Sequence, residues 1–309
     1  MAGMSYTHHT DTAEGENVKP APFDYHAPTG VDEVTALLSE LGDDAKVLAG
    51  GQSLVPMLNL RLAHFGALID VGRVASLRTV EASGDGLTVG AMVRQCEVEE
   101  RADTAEAAPL LAAATPFIGH FQIRSRGTVG GSLAHADPAA EYPAVAVALD
   151  AVMEIASKGG SRTVGAADFF VGTWMTALGD DELLTSIRFP SWGPGSGFAV
   201  EEVARRHGDF AIAGACTGVR VADGRVDKAA IALLGMDSTP VRANAAEAAL
   251  VGTAVADLDG VDGDEVGHLA VDGLAPPEDL HASSELRRRI GATVVTRAIR
   301  RSLEEARVA

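Results

Sequence analysis

The chain reads as an α+β protein of two domains, on three observations. Its 309 residues are 47% apolar and 22% charged, which suits a globular chain with two compact cores. Short strand-like runs alternate with helical periods up to Pro190, with paired glycines at the turns. A Gly-, Pro- and Ser-rich segment from Ser191 to Gly197 then precedes three long apolar runs and closing helices, a change of character that marks a linker. The expected division is a disordered tail over 1–18, a first domain over 19–192 and a second over 193–309.

The first eighteen residues, with His8, His9 and a run of Asp, Glu and Gly, have no apolar period and read as a tail without assigned function. Val31, Val34, Leu37, Leu38 and Leu41 recur at helical spacing, with Thr29 placed to cap the start and Gly42 the end. Lys46 to Leu48 reads as a strand, Ala49 to Ser53 as a tight turn, and Leu54 to Leu62 as a helix that tolerates Pro56 in its first turn. Leu68 to Val71 is a second strand, and Leu77 to Ala82 pairs with Leu87 to Gly90 as a hairpin. Helices are expected over Arg94 to Arg101 and Ala105 to Ala114. Thr115 to Pro143 is long and weakly periodic, and loops of that length inside a domain usually carry function. A hairpin around Gly159-Gly160 and a strand from Leu183 to Phe189 close the first domain. In the second, strands are expected over Phe198 to Ala204, Ala211 to Ala222 and Val226 to Leu234. The last helix carries Leu286, Ile290, Val294 and Ala298 on one face, and Arg287, Arg288, Arg297 and Arg301 on a face read as solvated.

Charge and cysteine usage narrow the function. With 43 acidic against 25 basic residues the formal charge is −18, which repels nucleic acid and anionic membranes. No run approaches the ~20 apolar residues of a membrane span, and Met1 to Pro20 is polar, so the expected compartment is the cytoplasm. Only Cys96 and Cys216 occur, without C-x-x-C, so no disulfide framework, zinc site or iron–sulfur cluster can be built from this chain.

Two glycine turns carry the chemistry. Ala49-Gly50-Gly51-Gln52-Ser53 follows a strand and opens a helix, where glycine lets backbone approach a ligand and amides suit a diphosphate. Alone it is weak, since such turns use glycine as often for steric reasons. The second, Gly127-Thr128-Val129-Gly130-Gly131-Ser132, adds hydroxyls that can hold phosphate, and Asp137 and Glu141 follow, an Asp being able to hold ribose. There is no G-x-G-x-x-G and no glycine followed by lysine, which removes the Rossmann fingerprint and the P-loop.

Ala-Gly-Gly-Gln-Ser-Leu-Val-Pro-Met-Leu at 49–58 and Gly-Thr-Val-Gly-Gly-Ser-Leu-Ala-His-Ala-Asp-Pro-Ala-Ala-Glu at 127–141 resemble the FAD-binding medium subunits of molybdenum hydroxylases of the carbon monoxide dehydrogenase and xanthine dehydrogenase type. Arg205-Arg206-His207-Gly208-Asp209-Phe210-Ala211 extends the resemblance, which covers the chain from about Phe23 to about Ala306. It implies a PCMH-type FAD domain of two α+β subdomains, followed by a smaller domain with an antiparallel sheet and helices. It further implies that Ala49, Gly50, Gly51, Gln52 and Ser53, with Leu54 opening the helix, and Thr128, Val129, Gly130, Gly131 and Ser132 wrap the diphosphate. Asp137 would hold the ribose, Leu184 would lie near the isoalloxazine, and Phe210 would cover one face of it. Relatives often have His at 52 and Asn at 132. A Gln at 52 cannot attach flavin, so the FAD is expected to be non-covalent.

The same resemblance implies an oxidoreductase assembly. FAD would take electrons from [2Fe-2S] clusters of a small subunit, fed by a molybdenum cofactor in a large one, and pass them to an external acceptor, in a dimer of heterotrimers. The substrate, whether carbon monoxide, an N-heterocycle or an aldehyde, would be chosen in the large subunit. Two other readings stay open: a self-sufficient flavin oxidase or reductase of the same superfamily, and a non-catalytic scaffold that has lost its flavin. His120, His135 and His207 sit in polar loops, where single histidines are ordinarily hydrogen-bonding or exposed, so no catalytic residue is assigned. No metal site is assigned to Asp137 and Glu141, Trp174 and Trp192 are read as packing residues, and Cys96 and Cys216 as core or near-core.

Overall fold

The computed structural model describes residues 19–255 and 263–308, so the tail expected over 1–18 lies outside it. Three layers of sheet follow one another along the chain. β1 (Asp24–His26), α1 (Val31–Leu41), β2 (Ala45–Leu48), α2 (Leu54–Asn59) and β3 (Ala67–Asp70) build a small parallel sheet in the order β1-β3-β2. Its core is Val34, Leu38, Ala45, Ile69 and Val71, the inward stripe of α1 meeting the sheet. Thr29 is not the cap expected of it: Gly30 occupies the N-cap, and the Glu33 carboxylate instead accepts from the Thr29 backbone N–H at 2.8 Å.

The second unit is a five-stranded antiparallel sheet with helices. β4 (Val80–Ser83), β5 (Gly86–Gly90), β6 (Val152–Ser157), β7 (Gly160–Gly165) and β10 (Leu183–Pro190) pair in the order β4-β5-β10-β6-β7, and β8 (Phe170–Gly172) with β9 (Met175–Thr176) forms a separate short hairpin. Leu77, expected in the first strand, lies in a 3-10 turn over Ala75–Arg78, because its carbonyl packs where a side chain at Gly90 would be, 2.4 Å from that Cβ position. Between β5 and β6 run α3 (Gln95–Glu100), α4 (Ala102–Ala107), α5 (Pro109–Ala114), α6 (Phe121–Arg124), α7 (Val129–His135) and α8 (Glu141–Ala148), with α9 (Ala166–Phe169) after β7. The single helix expected over Ala105 to Ala114 is thus two, because Pro109 forces Ala108 out of helical geometry to φ −142°. Likewise the segment read as irregular holds α6, α7 and the start of α8. All eight residues of α8 are buried, so it is apolar on every side and shows no period.

The last unit is a four-stranded antiparallel sheet, β11 (Ser196–Val203), β12 (Ala213–Ala222), β13 (Arg225–Leu234) and β14 (Val241–Arg242), with α10 (Asn244–Leu250), α11 (Gly263–Val271) and α12 (Ser284–Ala306). Both of its faces are covered. Phe198, Val200, Cys216, Ala230, Ala232 and Leu234 join the core of the preceding unit through α5 and α8. Ala199, Ala213, Ala215, Ile231 and Leu233 pack on α12 instead. The arginine face of α12 is only partly solvated: Arg287 is 5% exposed while Leu286 is 42% exposed, the reverse of the expectation. The Arg287 guanidinium turns inward because it donates to the Ile212 and Gly235 carbonyls and pairs with Asp279 at 2.6 Å. Arg301 pairs with Glu201 at 2.5 Å.

Candidate functional site

The two glycine turns, some 80 positions apart in sequence, touch. A Cβ at Gly50 would lie 2.3 Å from the Arg126 carbonyl oxygen and 2.9 Å from the Gly127 Cα, so backbone meets backbone and only glycine fits. A Cβ at Gly131 would lie 3.4 Å from that of Ala49, closing the contact from the other side. Gly51 takes φ +72°, a left-handed conformation that lets the chain leave β2 and re-enter α2. Gln52 stiffens the bend by donating from Nε2 to the Gly50 carbonyl at 3.0 Å.

The two turns differ in what they offer an anion. At the second, Val129 N–H donates to Val93, Gly130 N–H to Ala91 and Ser132 N–H to Thr128, while the Thr128 hydroxyl caps α7 by accepting from Gly131 N–H at 3.0 Å. At the first, the N–H groups of Gly50, Gly51, Gln52 and Ser53 find no acceptor among the described residues. Successive free amides in a tight turn make an anion nest. Free amides of this kind suit an anion, and the second turn, whose amides are engaged, packs against them.

α7 carries the site onward. Its seven residues span about 10 Å at 1.5 Å per residue. Leu184 flanks it: Ala91 receives the Gly130 amide and donates its own to Thr185, the next residue on β10, at 2.8 Å. Leu184 is itself 4% exposed, within the core. At the far end Ala136 takes φ +52° and turns the chain into Asp137, whose carboxylate accepts from Ala139 N–H at 2.9 Å and from the Trp174 indole at 3.3 Å. Trp174 is 59% exposed, at φ +57°, and stacks on His135 at 6.3 Å. The packing role expected of it is therefore wrong, whereas Trp192 is buried against Phe198. A bulky residue held left-handed is strained, and such strain gathers at functional sites. Burial lowers the pKa of His135, against the pull of Asp137.

The last unit closes over this end. Gly235 N–H donates to the Pro138 carbonyl at 2.8 Å. The loop between β11 and β12 brings Gly208 against the His120 ring, which meets His207 edge-on at 5.9 Å, and leaves Phe210 63% exposed beyond them. Two acids are buried near this end of the last unit's sheet. Glu141, the first residue of α8, is 6% exposed, and Glu202 on β11 has its Oε2 buried without a partner. Burial pushes the Glu141 carboxyl up to about 8, the Glu202 charge adding to the shift, and burial pushes Glu202 up to about 7. Glu141 was visible in the motif at 127–141; nothing in the local sequence marks Glu202. Among the described residues no three His, Cys, Asp or Glu side chains cluster as metal ligands, and no helix is long and apolar enough to cross a membrane.

Residues 21–192 match the FAD binding domain in molybdopterin dehydrogenase, and residues 198–302 match the CO dehydrogenase flavoprotein C-terminal domain. The 6-hydroxypseudooxynicotine dehydrogenase complex subunit alpha of Paenarthrobacter nicotinovorans is 38% identical over 94% of this chain and 97% of its own. Caffeine dehydrogenase subunit beta of a Pseudomonas strain is 40% identical over 93% of this chain and 97% of its own. The structure of carbon monoxide dehydrogenase from Hydrogenophaga pseudoflava, lacking the Mo-pyranopterin moiety of its molybdenum cofactor, superposes with a TM-score of 0.89 at 38% identity, over 93% of this chain and 99% of that one. With whole-length relatives at this identity and both domain families matched in order, the chain belongs to the FAD-binding medium subunits of carbon monoxide dehydrogenase-type molybdenum hydroxylases.

Proposed function

We propose that this chain is the electron-transfer subunit of a cytoplasmic molybdenum hydroxylase, holding non-covalent FAD between the [2Fe-2S] clusters of a small partner and an external acceptor. The observation that carries this is the seam of the two glycine turns, with four free amides at one end of α7 and the carboxylate of Asp137 just past the other. Bound FAD supplies a carrier that collects electrons singly and releases them in pairs. The chain's own work is to fix that carrier: Gly50 to Ser53 and the Ser132 hydroxyl hold the diphosphate, Asp137 the ribitol or ribose, and Phe210 one face of the ring, with Leu184 supporting the floor beside α7.

A large molybdenum subunit would choose the substrate. Relatives named for a nicotine derivative, caffeine and carbon monoxide are 35 to 40% identical to this chain, so likeness in the FAD subunit does not single out one substrate. The assembly would be a dimer of heterotrimers.

Expression of the chain alone and with its neighbouring genes, followed by absorption spectra and metal analysis, tests the reading. Flavin in both preparations, with iron and molybdenum only in the co-purified complex, is expected. Flavin with substrate turnover in the lone chain would replace this reading with a self-sufficient enzyme, and a colourless complex would leave a scaffold.

A further inference from the structure

The hairpin of β8 and β9 is anchored at its base and built out at its tip. Phe169 and Phe170 are buried in the core, and the Ala177 N–H donates to the Phe169 carbonyl at 2.8 Å. Gly172 pairs with Met175, so Thr173 and Trp174 make the turn. Trp174 holds φ +57° there, a conformation that glycine adopts freely and a bulky side chain only at a cost. Three contacts offset that cost, and they fall on three consecutive residues at the end of α7. The Trp174 N–H donates to the Ala136 carbonyl at 3.1 Å, the indole stacks on the His135 ring with planes 14° apart, and Nε1–H donates to Asp137 Oδ2 at 3.3 Å. Ala136 is itself left-handed at φ +52°, so the two strained positions brace each other across one hydrogen bond.

The consequence falls on Asp137. Its Oδ1 accepts from the Ala139 N–H at 2.9 Å and its Oδ2 from the Trp174 indole, and these are the hydrogen bonds of its carboxylate among the described residues. The first is local to the turn and comes with the backbone, whereas the second reaches 37 positions along the chain. A carboxylate offers about four acceptor sites, so each oxygen keeps one for a further donor. Asp137 is half-buried, within reach of solvent. With one oxygen anchored the group still pivots about that bond. With both anchored, the plane of the carboxylate and the direction of its remaining acceptor sites are fixed before anything binds.

We propose that Trp174 is a positioning residue for cofactor binding, which holds the Asp137 carboxylate so that its remaining acceptor sites are preset for hydroxyl donors. The proposal rests on the FAD reading above, in which Asp137 takes hydroxyl groups of the ribitol or ribose. A polyol supplies O–H donors and no charge, so what it gains from a carboxylate depends on direction. Trp174 itself needs no contact with the cofactor. The bond also accounts for a tryptophan at a turn where glycine would relax the backbone, because glycine has no side-chain N–H to offer the carboxylate.

The test uses the full chain as the wild type, Trp174→Phe, Asp137→Ala and the double variant, each titrated with FAD and followed by flavin fluorescence. Trp174→Phe keeps a ring for His135 and removes the donor, and it should weaken FAD binding about tenfold. In the Asp137→Ala background the same substitution should change affinity by about twofold at most, since the residue it acts through is gone. Equal losses in both backgrounds would mean a role in packing alone and overturn the proposal, as would an Asp137→Ala chain that binds FAD as the wild type does. Should Trp174→Phe not fold, Trp174→Gly takes its place, because it relaxes the turn, and the same non-additive loss is expected. The bond itself is read without flavin from the indole N–H resonance of Trp174 in a proton–nitrogen NMR spectrum, told from that of Trp192 by its absence in the Trp174 variant. Asp137→Ala should shift that resonance and leave the Trp192 signal in place; no shift overturns the bond and the proposal with it. A wild-type chain that binds no flavin fails the FAD reading itself, an outcome distinct from a flavin-loaded chain whose affinity ignores Trp174.

Discussion

Glu141 is at once the most buried acid of the junction and the first residue of a helix, and these two facts act in opposite directions. A helix N-terminus favours the carboxylate by up to about 1 kcal/mol, whereas burial disfavours it by several times more, so burial wins. The consequence for stability follows from linkage. Its pKa rises from an ordinary value of 4.5 to about 8 on folding, so the folded chain binds more protons across that window. Stability conferred by the neutral form is complete below 4.5 and is lost as pH climbs through about 8, up to about 5 kcal/mol in the limit. Glu141→Gln should flatten this loss. Denaturant melts of flavin-free protein at acid, neutral and alkaline pH would show it, and parallel curves for the two proteins would count against the buried acid. Trp174 poses the opposite case, a large exposed aromatic held left-handed, stacked on His135 and bonded to the carboxylate of Asp137.

At the scale of elements, the turn after β2 and the start of α7 act as one unit, because each is the other's packing surface. Gly50→Ala would force its methyl into the Arg126 carbonyl, and overpacking of this kind costs about 1–3 kcal/mol. The displaced backbone belongs to the proposed diphosphate nest, so the expected result is about a tenfold or greater loss of FAD affinity, measurable by fluorescence titration. Unchanged affinity in a folded Gly50→Ala protein would move the nest elsewhere. α12 shows a different dependence on neighbours. Arg287 and Leu286 exchange the places that their chemistry suggests, because the carbonyls of Ile212 and Gly235 at a sheet end need donors more than the helix needs one further leucine inside.

Across the whole molecule, one apolar cluster runs from β5 and α8 into β11, β12 and β13, so the FAD-domain helices and the last sheet share a core. Such sharing predicts a single calorimetric unfolding transition where separate cores would give two. Phe198 is 6% exposed and packs edge-on against Trp192 at 5.3 Å. Phe198→Ala should lower the midpoint by the equivalent of about 3 kcal/mol while keeping one transition. Two transitions in the wild type would mean that the shared cluster does not couple the units.

Most of the strands and the amphipathic helices, the two glycine turns and the count of two cysteines were legible in the sequence, because they rest on local periodicity and residue type, whereas the short or fully buried α6, α7 and α8 carry no period to read. Local rules also account for some errors that the structure corrects, as at Pro109, where the helix break follows from a restriction the periodic reading overrode. The contact of Gly50 with Arg126 and the burial of Arg287 and of Glu141 were beyond it. Each depends on which backbone or charge from a distant segment occupies the same few ångströms, and only tertiary packing decides that.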